Sequence, residues 1–299
     1  MASAQRTAEK DQKGKRQPVK DFAKDVVFVL VSFFFLNSFV LASFEVPTGS
    51  MENEIMAGDF LFVNKFIYGG TTPRTIPFTN VRLPWFRVPA LRHVERGDVI
   101  VFEFPGQRDE TVSPEFMFYL KRAVALSGDT VQVVNRKLLV NRQPALLPRN
   151  IKFNSTRIAP EGMGDPRVFP KGADFNEDNW GPLAVPKKGD VIPLNVTTLP
   201  QWAVFIGREG HEAAAAPGGT VLIDGKPATQ YTVEHNYIFG MGDNRDNSLD
   251  SRFWGFIPEE NLVGSPIIVY WSWEPEIPIT SFFDKLSSIR LGRIGTLIK

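Results

Sequence analysis

Val26 to Phe44 reads VVFVLVSFFFLNSFVLASF, about 19 residues without a charge, which is near the minimum a helix needs to cross a bilayer. No polar face interrupts the run, which disfavours a helix packed in a globular core. The pattern predicts a transmembrane anchor over residues 25–44. A cleaved secretory signal is the other reading of an apolar run near an N-terminus. Against it, the run is longer than an ordinary signal core, and cleavage after Ala42-Ser43 would fall just ahead of the first candidate motif.

Beyond the anchor the apolar positions come in short runs punctuated by Gly, Pro and Asp, the pattern of strands and turns. Asp59–Phe66 follows Ala57-Gly58. Asp98–Phe104 follows Arg96-Gly97 and stops at Pro105-Gly106. Phe116–Leu126 and Thr130–Val140 flank the turn Ser127-Gly128-Asp129, and further strands are expected at Tyr237–Met241 and Ser265–Trp273. From 144 to 234 the chain is rich in loops, with turn-strand units at Lys188–Ile192 and Thr220–Gly225. The expected architecture is therefore mostly β. It comprises a principal domain over 45–143 and 235–280, an inserted smaller β subdomain over 144–234, and a tail over 281–299. The tail, with Lys285, Arg290, Arg293 and Lys299 among Phe, Leu and Ile, reads either as a membrane-surface element or as a solvated terminal strand.

Composition sharpens this picture in three places. The 34 Lys and Arg against 33 Asp and Glu leave a net charge of +1, too little cationic excess to make nucleic acid the main partner. The absence of cysteine removes disulfides, thiolate metal sites and thiol nucleophiles together. Residues 1–24 are polar and basic, with Arg6, Lys10, Lys13, Lys15, Arg16, Lys20 and Lys24. A segment of that composition is expected to be disordered, and by the positive-inside rule to lie in the cytoplasm, with everything after Phe44 outside.

Three groups of residues can carry chemistry. In Val46-Pro47-Thr48-Gly49-Ser50-Met51, Gly49 permits a sharp turn that presents Ser50 freely. The Thr48 hydroxyl and the Ser50 N–H are placed to hold an oxyanion, although Pro-Thr-Gly is also an ordinary turn. A serine nucleophile needs a base, and His93, His211 and His235 all sit in polar surroundings typical of the surface. Lysine is the alternative: alternation along Phe116–Leu126 puts Met117, Tyr119, Lys121, Ala123 and Ala125 on one face. Burial there would depress the amine's pKa, whereas a strand-edge lysine would snorkel to water. The third group is Gly240–Gly255, dense in Asp, Asn and Arg. A calcium loop or a salt-bridged turn would explain it, and so would a hydroxyl such as Ser248 orienting a buried amine.

The anchor, Pro47-Thr48-Gly49-Ser50-Met51, Arg96-Gly97-Asp98-Val99, Lys121-Arg122-Ala123-Val124 with Ser127-Gly128-Asp129, and Gly242-Asp243-Asn244-Arg245-Asp246-Asn247-Ser248 occur in this order. The set resembles bacterial type I signal peptidase over roughly Phe44 to Trp273, only loosely across 144–234. The resemblance implies a catalytic β-domain of coiled antiparallel sheets and a serine/lysine endopeptidase without metal or cofactor. Ser50 would be nucleophile and Lys121 base, Ser248 would position Lys121, and Thr48 would complete an oxyanion hole. Asp243, Arg245, Asp250 and Arg252 would form a supporting salt-bridge network. Phe44, Val46, Met51, Leu61, Val101, Tyr119 and Leu120 would line shallow pockets for small residues at substrate positions −1 and −3.

The implied setting is a bacterial inner membrane, with the catalytic domain on its outer side. The implied partners are signal peptides of secreted preproteins, the lipid bilayer and the neighbourhood of the export translocon. Ser127, where proline is common, and Gly264-Ser265-Pro266 depart from the family pattern. Many relatives have a second membrane segment where this chain shows one. Two competing readings remain: an inactive, membrane-tethered peptide-binding module of the same fold, and a self-cleaving repressor protease, which the anchor disfavours.

Overall fold

The computed structural model describes residues 20–74, 81–146, 148 and 150–298. The expected basic tail up to residue 19, and Lys299, lie outside the described residues. Helix α1, Lys20–Val40, is long and apolar enough to cross a membrane and closes in a π turn over Leu36–Val40. The anchor expected to reach residue 44 thus stops at Val40. Its last apolar residues open β1 (Leu41–Glu45), because hydropathy alone does not separate a helix from a strand inside one apolar run. Pairing decides it: Leu41 to Glu45 register against Asn64 to Phe60.

The strands that follow are β2 (Asp59–Asn64), β3 (Val99–Glu103), β4 (Phe118–Leu126), β5 (Thr130–Val134), β6 (Lys137–Val140), β7 (Gln143–Pro144), β8 (Trp180–Ala184) and β9 (Val191–Pro193). After helix α2 (Leu199–Arg208) come β10 (Ala213–Ala215), β11 (Val221–Ile223), β12 (Lys226–Pro227), β13 (Gln230–Thr232) and β14 (Tyr237–Met241). Helix α3 (Ser251–Trp254), β15 (Ile257–Pro258), β16 (Leu262–Ser272) and helix α4 (Phe282–Ser287) complete the fold. Seven strands form an antiparallel sheet in the order β1-β2-β16-β3-β4-β14-β15, and four more form a second, β7-β6-β5-β8. Register shifts at Leu262/Gly264, Pro266/Ile268 and Val269/Trp271 bend β16, as bulges do, so one strand serves β2 and β3 in turn.

Two elements differ from expectation. Thr130–Val140 is a hairpin rather than one strand, turning at Asn135 and Arg136, both with positive φ. That is the backbone of a tight hairpin turn, disguised because arginine stands where glycine usually marks it. The 144–234 segment is not only β: α2 buries Leu199, Phe205 and Ile206, with Pro200 in its first turn, where a missing N–H costs nothing. The larger apolar core joins the two sheets around Phe102, Trp180, Phe239 and Trp254. A smaller one packs Val46, Met51, Ile55, Leu61, Val101 and Val269 beneath the segment that follows β1. The tail folds back onto β16, with Val269 N–H donating to Thr296 O at 2.9 Å and Ile298 N–H to Ile267 O at 2.9 Å.

Candidate active site

Ser50 sits in the loop between β1 and β2. The loop is closed at its base by Val46 N–H to Asp59 O (2.9 Å) and Gly58 N–H to Val46 O (2.8 Å), and at its tip by Glu52 N–H to Gly49 O (3.0 Å). A distant segment holds the tip. Asn244 N–H donates to Ser50 O at 3.0 Å, and its side-chain amide donates to Gly49 O at 3.1 Å and to Glu52 Oε2 at 3.0 Å. Among the described residues the Ser50 N–H has no acceptor, and Thr48 is exposed at the rim.

Lys121 comes from β4, opposite Ile100 of β3, and is 4% exposed. Its Nζ donates to Ser50 Oγ at 2.8 Å and to Leu120 O at 3.1 Å. Burial is the main cause that lowers its pKa, to about 8; Asp250 and Asp243 act the other way, and Arg252 adds to the lowering. The Tyr119 ring centroid lies 5.5 Å from Nζ. The amine is therefore buried, not snorkelling, and about one tenth of it is neutral at pH 7.

Ser248 is buried and lines the same cleft, but its Oγ has no hydrogen-bond partner among the described residues. The expected bond to Lys121 is not made in this structure. Gly242 accounts for the close packing here, since a Cβ at this position would collide with the Ser248 side chain and lie 2.6 Å from Ser50 O.

The expected four-residue network is not formed: Asp250 and Arg252 pair with each other, Asp243 pairs with Arg122 instead, and Arg245 joins neither pair. Asp250 accepts from Arg252 Nε and Nη2, both at 2.9 Å, caps α3 through Arg252 N–H and accepts Gly242 N–H at 3.1 Å. Burial pushes the Asp250 carboxyl upward, yet Arg252 and these donors hold it below its ordinary value. Asp243 instead accepts from Arg122, whose Nη2 lies 2.6 Å away. Arg122 had no expected role, because nothing in sequence pairs two groups 121 positions apart. Arg245 reaches no carboxylate among the described residues. Its Nε donates to Gly242 O at 3.1 Å, and its Nη2 is buried without a partner. With Arg122 and Arg252 occupying their carboxylates, Asp243 and Asp250 form salt-bridged turns rather than an open oxygen cage.

Ser50 and Lys121 lie in a cleft of about 720 Å³. Phe44, Val46, Met51, Leu61, Val101, Tyr119 and Leu120 all line it, with Met51, Leu61 and Val101 at most 1% exposed. Also in its wall are Phe118, Asp246, Asn247, Leu249 and Phe253, with Arg167 and Glu177 from the inserted segment. None of these was singled out in sequence as a wall residue. No histidine lines the cleft; His211 sits between Asp224 and Glu234 at 2.7 and 3.0 Å.

A hydroxyl beside a part-neutral amine, at the foot of an apolar cleft, has the chemistry of a hydrolase in which lysine activates serine. The chain belongs to the signal peptidase family, peptidase S26, whose sequence model matches residues 19–271. It is 30% identical to a signal peptidase I of Buchnera aphidicola subsp. Schizaphis graminum, over 88% of this chain and 77% of that one. It is 29% identical to a signal peptidase I of Pseudomonas fluorescens, over 90% and 79%. A crystal structure of a signal peptidase I from Enterococcus faecalis aligns at 19% identity with a TM-score of 0.29, over 59% of this chain and 98% of that chain.

Proposed function

We propose that this peptidase removes signal peptides from exported preproteins, with Ser50 as nucleophile and Lys121 as its base. The observation that carries the reading is the 2.8 Å contact between Lys121 Nζ and Ser50 Oγ, made by an amine that burial brings toward neutrality. Neutral Lys121 takes the Ser50 proton as Oγ attacks the carbonyl carbon of the scissile bond. The resulting oxyanion is held by the Ser50 N–H, which has no acceptor among the described residues, and by the Thr48 hydroxyl. The C–N bond breaks as the lysine ammonium protonates the leaving amine. Water, deprotonated in turn by Lys121, then hydrolyses the acyl-serine and restores Ser50. Ser248, buried and unpartnered beside the pair, is the group to hold the amine in register as the proton moves.

An extended substrate fits the cleft. Residues 118–121 of β4 pair with β3 on one edge, while pairing with β14 on the other begins only at Arg122. The free edge suits an added strand, with small side chains entering the shallow pockets along Phe44–Val46 and Tyr119–Leu120. The anchor, cytoplasmic on its basic side by the positive-inside rule, keeps the domain on the outer face of the inner membrane. There, near the translocon, the cut site of a preprotein emerges.

Incubating the purified protein with a preprotein and mapping the cut by mass spectrometry tests this. Ser50→Ala and Lys121→Ala should each remove cleavage by a factor of roughly 10³ or more while circular dichroism stays unchanged. Cleavage by either variant at the parent rate would overturn the assignment. Labelling by a serine-reactive probe, lost in Ser50→Ala, separates the enzyme from an inactive peptide-binding module.

A further inference from the structure

The turn 176–179, just ahead of β8, has every polar side chain committed except one. Asn176, Asp178 and Asn179 are buried. Asn176 Oδ1 accepts the N–H groups of Asp178 (3.0 Å) and Asn179 (2.8 Å), and its amide donates to Pro160 O and Met163 O. Asp178 accepts from Arg136 Nε at 2.7 Å and from Ala159 N–H at 2.8 Å. Asn179 accepts Asn135 N–H at 2.9 Å and donates to Ala159 O at 2.8 Å. Glu177 is half-buried between them. Its backbone is held, with Glu177 O accepting from Arg252 Nη1 at 3.0 Å, but its carboxylate makes no hydrogen bond or ion pair among the described residues. The turn thus fixes Glu177 in the cleft wall with its acceptors open.

The charged residues that line the cleft are Glu45, Lys121, Arg167, Glu177 and Asp246. Lys121 faces Ser50. Arg167 is held by Asp165, Nε to Oδ1 at 3.0 Å and Nη2 to Oδ2 at 2.6 Å. Asp246 accepts the N–H groups of Asn154 and Ser155, both at 2.7 Å. Glu177 remains, together with Glu45, which is exposed at the end of β1. Burial pushes the Glu177 carboxyl above its ordinary value; Arg252, already engaged by Asp250, opposes this, and Asp178 and Asp246 add to it. A cation brought beside the carboxylate would offset that cost.

The pocket residues Val46, Met51, Leu61 and Val101 rest on the smaller core. Phe253, next to the arginine that holds Glu177, belongs to the larger one. The two walls therefore come from different parts of the molecule, and an extended chain between them shows alternate residues to each. With −1 and −3 in the apolar pockets, −2 and +1 turn toward the wall of Glu177. We propose that Glu177 is a specificity-determining residue that accepts a lysine or arginine of the preprotein at −2 or +1. The inference rests on the proposed function for its substrate, but the charge preference can be read without cleavage. It gives the inserted segment a part in choosing the substrate.

The test uses the full chain and one preprotein carrying Lys or Glu at −2, with a second set varied at +1, and compares kcat/KM within each set. At one of the two positions the parent should favour Lys over Glu by about fivefold. The ratio should shrink in about 1 M salt, where charges are screened beyond about 3 Å. Glu177→Gln should bring the ratio close to one, and Glu177→Lys should invert it. Because both substrates meet the same preparation, a variant that folds less well lowers both rates alike and leaves the ratio readable. Glu45→Gln separates the two open carboxylates and should keep the parent ratio. A parent ratio near one at both positions, or an unchanged ratio in Glu177→Gln, would overturn the proposal. So would a ratio lost in Glu45→Gln, which would move the preference to the other wall. A parent that cuts no preprotein overturns the proposed function; the same ratio, taken from the affinities of fluorescent Lys and Glu peptides for the Ser50→Ala protein, then decides the role of Glu177.

Discussion

Lys121 shows how one residue's setting becomes reactivity. Its ammonium is buried beside a hydroxyl, and its nearest buried carboxylates are already paired with arginines, so burial prevails and the pKa falls to about 8. If the neutral amine is the base, kcat/KM should rise about tenfold per pH unit below 8 and level off above it; a profile flat from pH 6 to 9 would remove Lys121 from that role. The same shift bears on stability. Folded Lys121 loses its proton near 8 and unfolded lysine near 10.5, so below 8 the buried charge costs on the order of 3 kcal/mol. The cost is relieved as pH rises through that interval, because there the unfolded chain binds the extra proton. Lys121→Met should therefore abolish cleavage and raise the melting temperature at pH 7, with the gain shrinking by pH 10. Ser50, Lys121 and Ser248 could be named as candidates from sequence only because several short motifs occur in one order; taken singly, each left an ordinary turn or strand edge open. The free Oγ of Ser248 and the partnership of Arg122 with Asp243 were not legible there, since both depend on how β4 meets the 242–248 turn.

Among the elements, the 242–248 turn braces the loop that carries Ser50. Asn244 fastens the Ser50 loop through its backbone and its amide. Asn244→Ala removes three side-chain hydrogen bonds, two donated to the Ser50 loop and one accepted from Asn154, and should cost about 1–3 kcal/mol in urea denaturation. It should lower kcat more than it raises KM, because the loop that presents Ser50 loosens while the apolar cleft remains. Strands β2, β3, β14 and β16 were legible from their apolar runs. The β5–β6 turn was hidden by Asn135-Arg136, and α2 by its ten residues, too short for a periodic pattern to stand out in a segment rich in turns. The boundary between α1 and β1 lies inside one uninterrupted apolar run and was decided by pairing with β2.

At the scale of the whole molecule, the tail belongs to the fold. Asp59 is fully buried, and Arg293 forms an ion pair with it, beside the Ser272 hydroxyl at 2.7 Å. Arg293→Ala would leave a buried carboxylate without its cation, at a cost on the order of 3 kcal/mol. A clear fall in melting temperature with membrane association retained is the expected result, and an unchanged melting temperature would contradict it. By itself the sequence determined what local pattern can carry: an apolar helix long enough for a membrane, a mostly β chain behind it, and serine and lysine motifs whose order matches one family. Tertiary structure alone decided the 2.8 Å contact of Lys121 with Ser50, the pairing of Asp243 with Arg122 and of Asp250 with Arg252, the entry of Arg167 and Glu177 into the cleft wall, and the point where α1 gives way to β1. Each of these joins segments far apart in the chain, and burial and pairing across such distances are properties of packing that no local run of residues encodes.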